Sequence, residues 1–242
     1  TIGVVSLCAL AGGLVVLALV GEGPGSWPAP VRGAFRPVLF SVPGVRAAAL
    51  GYFGHMWELY AFWAFLPVLL AARGGAVGAP RAVAGLTGLV IAAGTAGCVL
   101  GAKLSRRMGS ARVAALCLAV SGTCCVASPF AFFLRPALLV PFLVVWGVAV
   151  VADSGQFSAV AAAEAPRGTI GSTLTLMNCL GFGLTIVSIQ LLNELALRTG
   201  AQYLMLPLAA GPAAGLVALR PVLRARRTSV GAPAREMPGG GG

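Results

Sequence analysis

Charged residues are scarce in this chain of 242 residues. Only 10% of them are charged, whereas a typical soluble domain carries about a quarter, and only six are Asp or Glu. At the same time 58% of the residues are hydrophobic and the mean hydropathy is +0.94. A soluble protein of this size could not bury so much apolar surface in one core and still present a polar face to water. The composition therefore predicts a membrane protein.

The motifs of several enzyme and metal-binding classes are missing. His55 is the only histidine, so no H-E-x-x-H zinc motif exists, and no G-x-S-x-G nucleophile motif occurs. The six cysteines lie inside apolar runs, and none forms a C-x-x-C pair. This pattern argues against a disulfide or metal framework and indicates packing residues. We expect no cofactor and no metal site.

The net charge of +11 comes from 17 Lys and Arg residues that stand between the apolar runs. They have no interleaved aromatic residues, so membrane orientation explains them better than nucleic-acid binding. Most of them fall in the alternate connections that share one side of the membrane. The positive-inside rule predicts that this side is cytoplasmic, with a cytoplasmic C-terminus, in the inner (plasma) membrane of a cell.

Seven apolar segments have the length of about 20 residues that a spanning helix needs. The short alternating segments of a β-barrel are not present in the pattern, so we predict helices. The predicted spans are approximately 1–21, 47–72, 82–102, 112–133, 137–158, 169–193 and 200–220. The fold class predicted is an all-α, polytopic bundle of about seven transmembrane helices.

The connections divide the chain into four parts. The stretch 22–46 is rich in Pro and Gly, which oppose regular structure, and is predicted to be a cytoplasmic linker between two bundles. It separates a single span, 1–21, from a six-helix bundle, 47–220. The Arg- and Gly-rich stretch 221–242 is predicted to be a disordered tail. Because the chain opens at Thr1 directly in an apolar run, we expect a fragment that begins within a larger protein.

Two ionisable residues, His55 and Glu58, lie near the middle of the second span. An ionisable side chain at membrane depth is expensive and is a functional-site hypothesis by default. The two are three residues apart and share a helix face with Tyr52. Two roles stay open for them: proton coupling or substrate contact, and a tether between helices inside the bundle.

Polar residues in later spans extend this candidate site. Asp153 in the fifth span has two open roles: binding of a cation or substrate, and a cytoplasmic gate in which it pairs with Arg167 or Lys103. Asn178 in the sixth span is a candidate for substrate contact or for an interhelical hydrogen bond.

The chain resembles the major facilitator superfamily of transporters in three stretches. The loop GAKLSRRMGSAR is similar to the second-half copy of the superfamily's loop motif, with Ser105 where an acid often stands. The turn Ala165-Pro166-Arg167-Gly168 is similar to the one before span eleven. The strings GYFGHMWELYAFW, ADSGQFS and LTLMNCLGF resemble a bacterial subgroup labelled cyanate or nitrate permease-like. The motif residues proposed for the loop and cytoplasmic gate are Gly101, Lys103, Arg106, Arg107, Gly109, Arg112 and Arg167.

This resemblance implies spans six to twelve of a secondary active transporter that moves a small solute by alternating access, with proton coupling as one option. Such halves consist of inverted three-helix repeats, and the first helix of each repeat lines the cavity. These helices would be 47–72 and 137–158. The expected partners are a small solute, the lipid bilayer and the N-terminal half, which would hold the groups facing His55 and Glu58. The alternatives are an intramembrane enzyme and a non-transporting membrane sensor, and we expect no enzyme.

Overall fold

The computed structural model describes residues 2–19 and 38–231 of the chain, which belong to two compact units. The first unit contains a single described helix, α1, over Ile2–Leu19. It is apolar throughout, but its apolar stretch, Ser6–Leu19, is shorter than a full span. The predicted span 1–21 is therefore helical where it is described. Most of the predicted linker, residues 22–37, lies outside the described residues.

All regular secondary structure of the second unit is helical over residues 38–231. Short 3-10 turns at Ala201–Tyr203 and Leu206–Ala209 precede the last helix. The α-helices are α2 (Val38–Ser41), α3 (Pro43–Ala72), α4 (Gly75–Gly78), α5 (Pro80–Met108), α6 (Ser110–Ala131), α7 (Pro136–Ala152), α8 (Ser154–Glu164), α9 (Ile170–Arg198) and α10 (Ala210–Gly231).

Among the described residues, six helical segments are long and apolar enough to cross a membrane. The chain is thus a multi-pass, helical membrane protein, which confirms the predicted class, with six spans of full length where about seven were predicted. These spans are Pro43–Ala72, Pro80–Met108, Ser110–Ala131, Pro136–Glu164, Ile170–Arg198 and Ala201–Arg224.

Several helix boundaries follow from proline and glycine. Pro43, Pro80 and Pro136 stand in the first turn of α3, α5 and α7, where the missing N–H costs nothing. The second span therefore begins at Pro43, inside the predicted linker. Gly109, at φ +83°, ends α5 and lets α6 start at the next residue. At the other end, α10 continues through Gly231, so the first part of the predicted tail is helical.

The second unit has two main apolar cores, one toward each end of its helices. The first core contains Phe62, Leu66, Leu139, Trp146 and Leu208, among others. The second contains Leu39, Val45, Leu118, Phe157 and Leu219, among others. Along α3, α6 and α7–α8, the change from one core to the other coincides with buried polar residues. We call His55, Glu58, Ser121 and Asp153 the polar layer.

Glycines bring pairs of helices to backbone contact. Gly54 on α3 and Gly211 on α10 face each other, and a Cβ on either one would collide with the backbone of the other. Gly97 and Gly101 on α5 lie against backbone atoms of Val148 and Ala152 on α7. Because these contacts leave no room for a side chain, they hold α3–α10 and α5–α7 closely packed.

Candidate functional site

Glu58 ties three helices together in the centre of the bundle. Its carboxylate is fully buried and accepts hydrogen bonds from Ser121 Oγ (2.8 Å) on α6 and from Trp146 Nε1 (2.7 Å) on α7. The Sγ of Cys125, also on α6, approaches at 3.3 Å. A buried carboxylate requires such donors, since its desolvation is costly. The Trp146 ring in turn stacks on Phe62, with the ring centroids 4.5 Å apart.

The second buried contact joins His55 on α3 to Asp153 at the end of α7. His55 Nδ1 lies 2.9 Å from Asp153 Oδ1, and both side chains are almost completely covered. Neither atom has a partner in hydrogen-bonding geometry, so the contact is a close approach of two charge-bearing groups rather than an aligned hydrogen bond. His55 Nε2 is also buried and has no hydrogen-bond partner among the described residues.

Asp153 occupies an interruption in its span. It separates α7 from α8, and its carbonyl oxygen accepts from two amides: that of Gln156 at 2.9 Å, three residues on, and that of Phe157 at 3.3 Å, four residues on. The span predicted at 137–158 is therefore two helices, Pro136–Ala152 and Ser154–Glu164. Interrupted helices in transporters are sites where backbone groups and side chains become available to solutes and ions.

An open cleft lies next to this interruption. Its volume is about 330 Å³, and it is bounded by α3, α8 and α9. Its polar side chains are the predicted residues Tyr52 and Asn178, together with Ser154, Ser158 and Tyr60. The Tyr52 ring also lies 5.8 Å, centroid to centroid, from the ring of His55. Tyr52 therefore touches both the cleft and the buried pair. The apolar walls of the cleft are formed by Met56, Leu59 and Phe182.

The structure separates residues that the sequence grouped together. His55 and Glu58 share the buried face of α3 but have different partners, and neither is among the residues that line the open cleft. Asp153 contacts His55 rather than Arg167 or Lys103. The gate pairing is not formed in this structure, because Asp153 is buried in mid-bundle whereas both basic residues are exposed. The side chains that contact His55 and Glu58 in the structure belong to this chain.

The loop-motif residues form a tight turn with an exposed basic surface. Gly109 supplies the turn and Gly101 the helix contact described above. The basic residues of the motif are exposed and form no ion pair with the carboxylates of residues 38–231, where the ion pairs are His55–Asp153 and Arg198–Glu194. These exposed residues are Lys103, Arg106, Arg107, Arg112 and Arg167.

Two features of the site were missed by sequence reasoning. The donors Ser121 and Trp146 lie 63 and 88 residues from Glu58, and no local spacing reveals such contacts. The helix interruption had a weak signal, the run of small and polar residues Asp153-Ser154-Gly155. Within the described part of the chain, no group of three His, Cys, Asp or Glu residues is placed to hold a metal ion.

The chain matches no protein-family profile, no curated protein and no solved structure. Its resemblance to the major facilitator superfamily therefore stays a prediction that depends on the motifs given above.

Proposed function

We propose that this chain forms one bundle of a secondary active transporter of the major facilitator type, which moves a small solute by alternating access. The observation that carries the proposal is the buried His55–Asp153 contact at a helix interruption, beside a cleft with polar walls. Ionisable residues at membrane depth are costly and mark ion and substrate pathways. A cleft of about 330 Å³ has the size of a small-molecule site.

The pattern of helix packing supports the proposed inverted repeats. If α3, α5 and α6 form one repeat, then α7–α8, α9 and α10 form the other. A two-fold relation would make α3 correspond to α7–α8, α5 to α9 and α6 to α10. The contact of α3 with α9 then corresponds to that of α7 with α5, and the contact of α3 with α10 corresponds to that of α7–α8 with α6. All four contacts are present. Such an exchange of contacts is expected for two repeats related by a two-fold axis, which supports the proposed inverted repeats.

The proposed division of labour separates solute contact from proton handling. Tyr52, Asn178 and Ser158 line the cleft and would hold the solute by hydrogen bonds. The buried pair would carry the proton. When His55 is protonated, its contact with Asp153 joins opposite charges. When it is neutral, that attraction is lost, so proton gain and loss alter how strongly α3 holds the α7–α8 junction.

The surroundings of Glu58 argue against intramembrane catalysis. Both of its carboxylate oxygens are occupied by donors from neighbouring helices, and the side chain is fully buried. Catalysis by His55 and Glu58 acting together would require both to reach a substrate. We therefore propose a tethering role for Glu58.

We also propose the plasma membrane as the location of the protein. The Arg-rich end of α10 would lie in the cytoplasm, because basic residues concentrate at that end.

The test is flux through proteoliposomes that contain the twelve-span parent protein required by the proposal. Uptake of cyanate, nitrate, amino acids and sugars is followed with and without a pH gradient. Asp153→Asn should abolish the pH dependence while solute binding persists, and Asn178→Ala should weaken apparent solute affinity. Glu194→Gln, an exposed matched change on α9, should behave as the unaltered protein. Absence of flux for the whole panel would refute the proposal.

A further inference from the structure

A second cleft, of about 390 Å³, lies at the end of the bundle where α5 turns into α6 and where the last spanning turns of α10 lie. Its location is remote from the polar layer, and it has no residue in common with the cleft beside Tyr52. The residues that line it are Met108, Arg112, Ala115, Arg220, Leu223 and Arg224.

The charge of this cleft is uncompensated within the described residues. Arg112 comes from α6, and Arg220 and Arg224 come from one face of α10, one helical turn apart. None of the three forms an ion pair with a carboxylate of residues 38–231. Like charges gathered from two helices repel each other, and the amino-terminal turn of α6 adds a partial positive charge. An anion from outside the bundle would relieve this repulsion.

The depth of the cleft identifies the source of that anion. Arg112 stands in the first turn of α6, and Arg220 and Arg224 follow the apolar part of α10, so we expect the three guanidinium groups where the spanning segments meet the headgroups. Met108, Ala115 and Leu223 supply apolar walls on the same cleft. A soluble anion would gain nothing from these walls. The first carbons of an acyl chain, in contrast, would bury against them.

We propose that this cleft, termed here the arginine cleft, binds the headgroup of an anionic phospholipid. The lipid phosphate would accept hydrogen bonds from Arg112, Arg220 and Arg224, whose planar guanidinium groups match phosphate oxygens in pairs. Basic pockets between transmembrane helices are a known mode of recognition for anionic headgroups. A lipid without net charge keeps its own cation next to the phosphate, and so binds this cleft more weakly. The assignment does not depend on the proposed transport function.

The test uses the purified 242-residue chain in neutral detergent, titrated with short-chain phosphatidylglycerol, with phosphatidylcholine and with inorganic phosphate. Bound lipid is counted by native mass spectrometry. Each arginine should contribute about 1 kcal/mol, or roughly fivefold in Kd. Arg220→Gln combined with Arg224→Gln should therefore weaken phosphatidylglycerol binding roughly 30-fold. The matched control, Arg106→Gln with Arg107→Gln, removes the same charge at the same end but outside the cleft, and should change binding less than about threefold.

Three results would overturn the proposal. Equal loss in the two double variants would show a diffuse surface charge rather than a site. Equal binding of phosphatidylcholine would show that net charge is not recognised. Full competition by inorganic phosphate at concentrations comparable to those of the lipid would assign the cleft to a soluble anion. If the α10 double variant does not fold, Arg112→Gln on α6 serves instead, with a loss of roughly fivefold expected.

Discussion

Trp146 Nε1 on α7 donates a hydrogen bond of 2.7 Å to Glu58 Oε1 on α3, and both side chains are buried. The second oxygen of the same carboxylate accepts from Ser121 on α6. One acidic residue thus organises three helices at the level where the two apolar cores meet. Because the bundle contains so few charged groups, few other side chains could accept these hydrogen bonds, and the contacts specify how the three helices align.

Replacement of Glu58 by Ala should destabilise the bundle by about 2–4 kcal/mol, since it leaves a cavity and several donors without an acceptor. Glu58→Gln keeps the volume and one acceptor oxygen, and should cost only about 1 kcal/mol. The measurement is unfolding of the purified chain in mixed detergent micelles as the denaturing detergent is increased. Glu194→Ala on an exposed face is the matched control and should stay within about 0.5 kcal/mol. Equal stability of Glu58→Ala and this control would contradict the tethering role.

The contact between His55 and Asp153 should appear as a coupling energy in a double-mutant cycle. His55→Ala, Asp153→Ala and the double variant are compared by the same unfolding assay, and we expect a coupling of about 1–3 kcal/mol. The exposed pair Arg198–Glu194 provides a reference cycle, for which about 0.5 kcal/mol is expected. Additive effects of the two buried changes would mean that the 2.9 Å approach contributes no net energy.

Gly54→Ala should destabilise the protein because the added methyl group would collide with the backbone carbonyl of Gly211. A backbone atom cannot move aside cheaply, so a cost of about 1–3 kcal/mol is expected. Gly85→Ala on α5 is the control: nothing lies within 4 Å of its added Cβ, and it should be neutral or slightly stabilising. The measurement is the thermal unfolding midpoint of each variant. A shift of the same sign and size in both would count against close packing of α3 on α10.

Arg73 should order the connection between α6 and α7. Its guanidinium group donates to the carbonyl oxygens of Phe132 and Leu134, the latter at 2.8 Å, and lies over the Phe132 ring. Arg73→Gln should therefore speed amide hydrogen exchange across residues 132–135 on the order of tenfold. Arg81→Gln removes an exposed arginine that makes no hydrogen bond within the described residues, and should leave that exchange unchanged. Unaltered exchange in Arg73→Gln would show that the connection is ordered by other contacts.

Much of the helical architecture was predictable because spanning length and hydropathy are local properties. The runs around Glu58, Cys98 and Cys124 each appear as one long helix, as their composition indicates. Boundaries were less predictable. Helix α3 starts at Pro43 because proline suits the first turn, although the Pro- and Gly-rich stretch before it had indicated a linker that continued to residue 46.

The partners at the site could not be predicted because they are set by tertiary packing. The sequence identified His55, Glu58 and Asp153 as ionisable residues in apolar surroundings, and all three are buried. It placed His55 and Glu58 on one helix face, but it could not show that this face points into the bundle. Nor could it choose His55 over exposed basic residues as the partner of Asp153, since that choice depends on how α3 and α7 pack.

The polar layer between the two apolar cores also has a mechanical consequence. Apolar contacts are not directional, so a shifted helix can replace some of them with others. If α3 slid or rotated by one residue, however, Glu58 and His55 would leave their partners and enter hydrocarbon surroundings. The polar layer therefore fixes the relative positions of α3, α6 and α7–α8. Helices held in this way should move together as a rigid body, with the change in conformation confined to the connections at the ends of the unit.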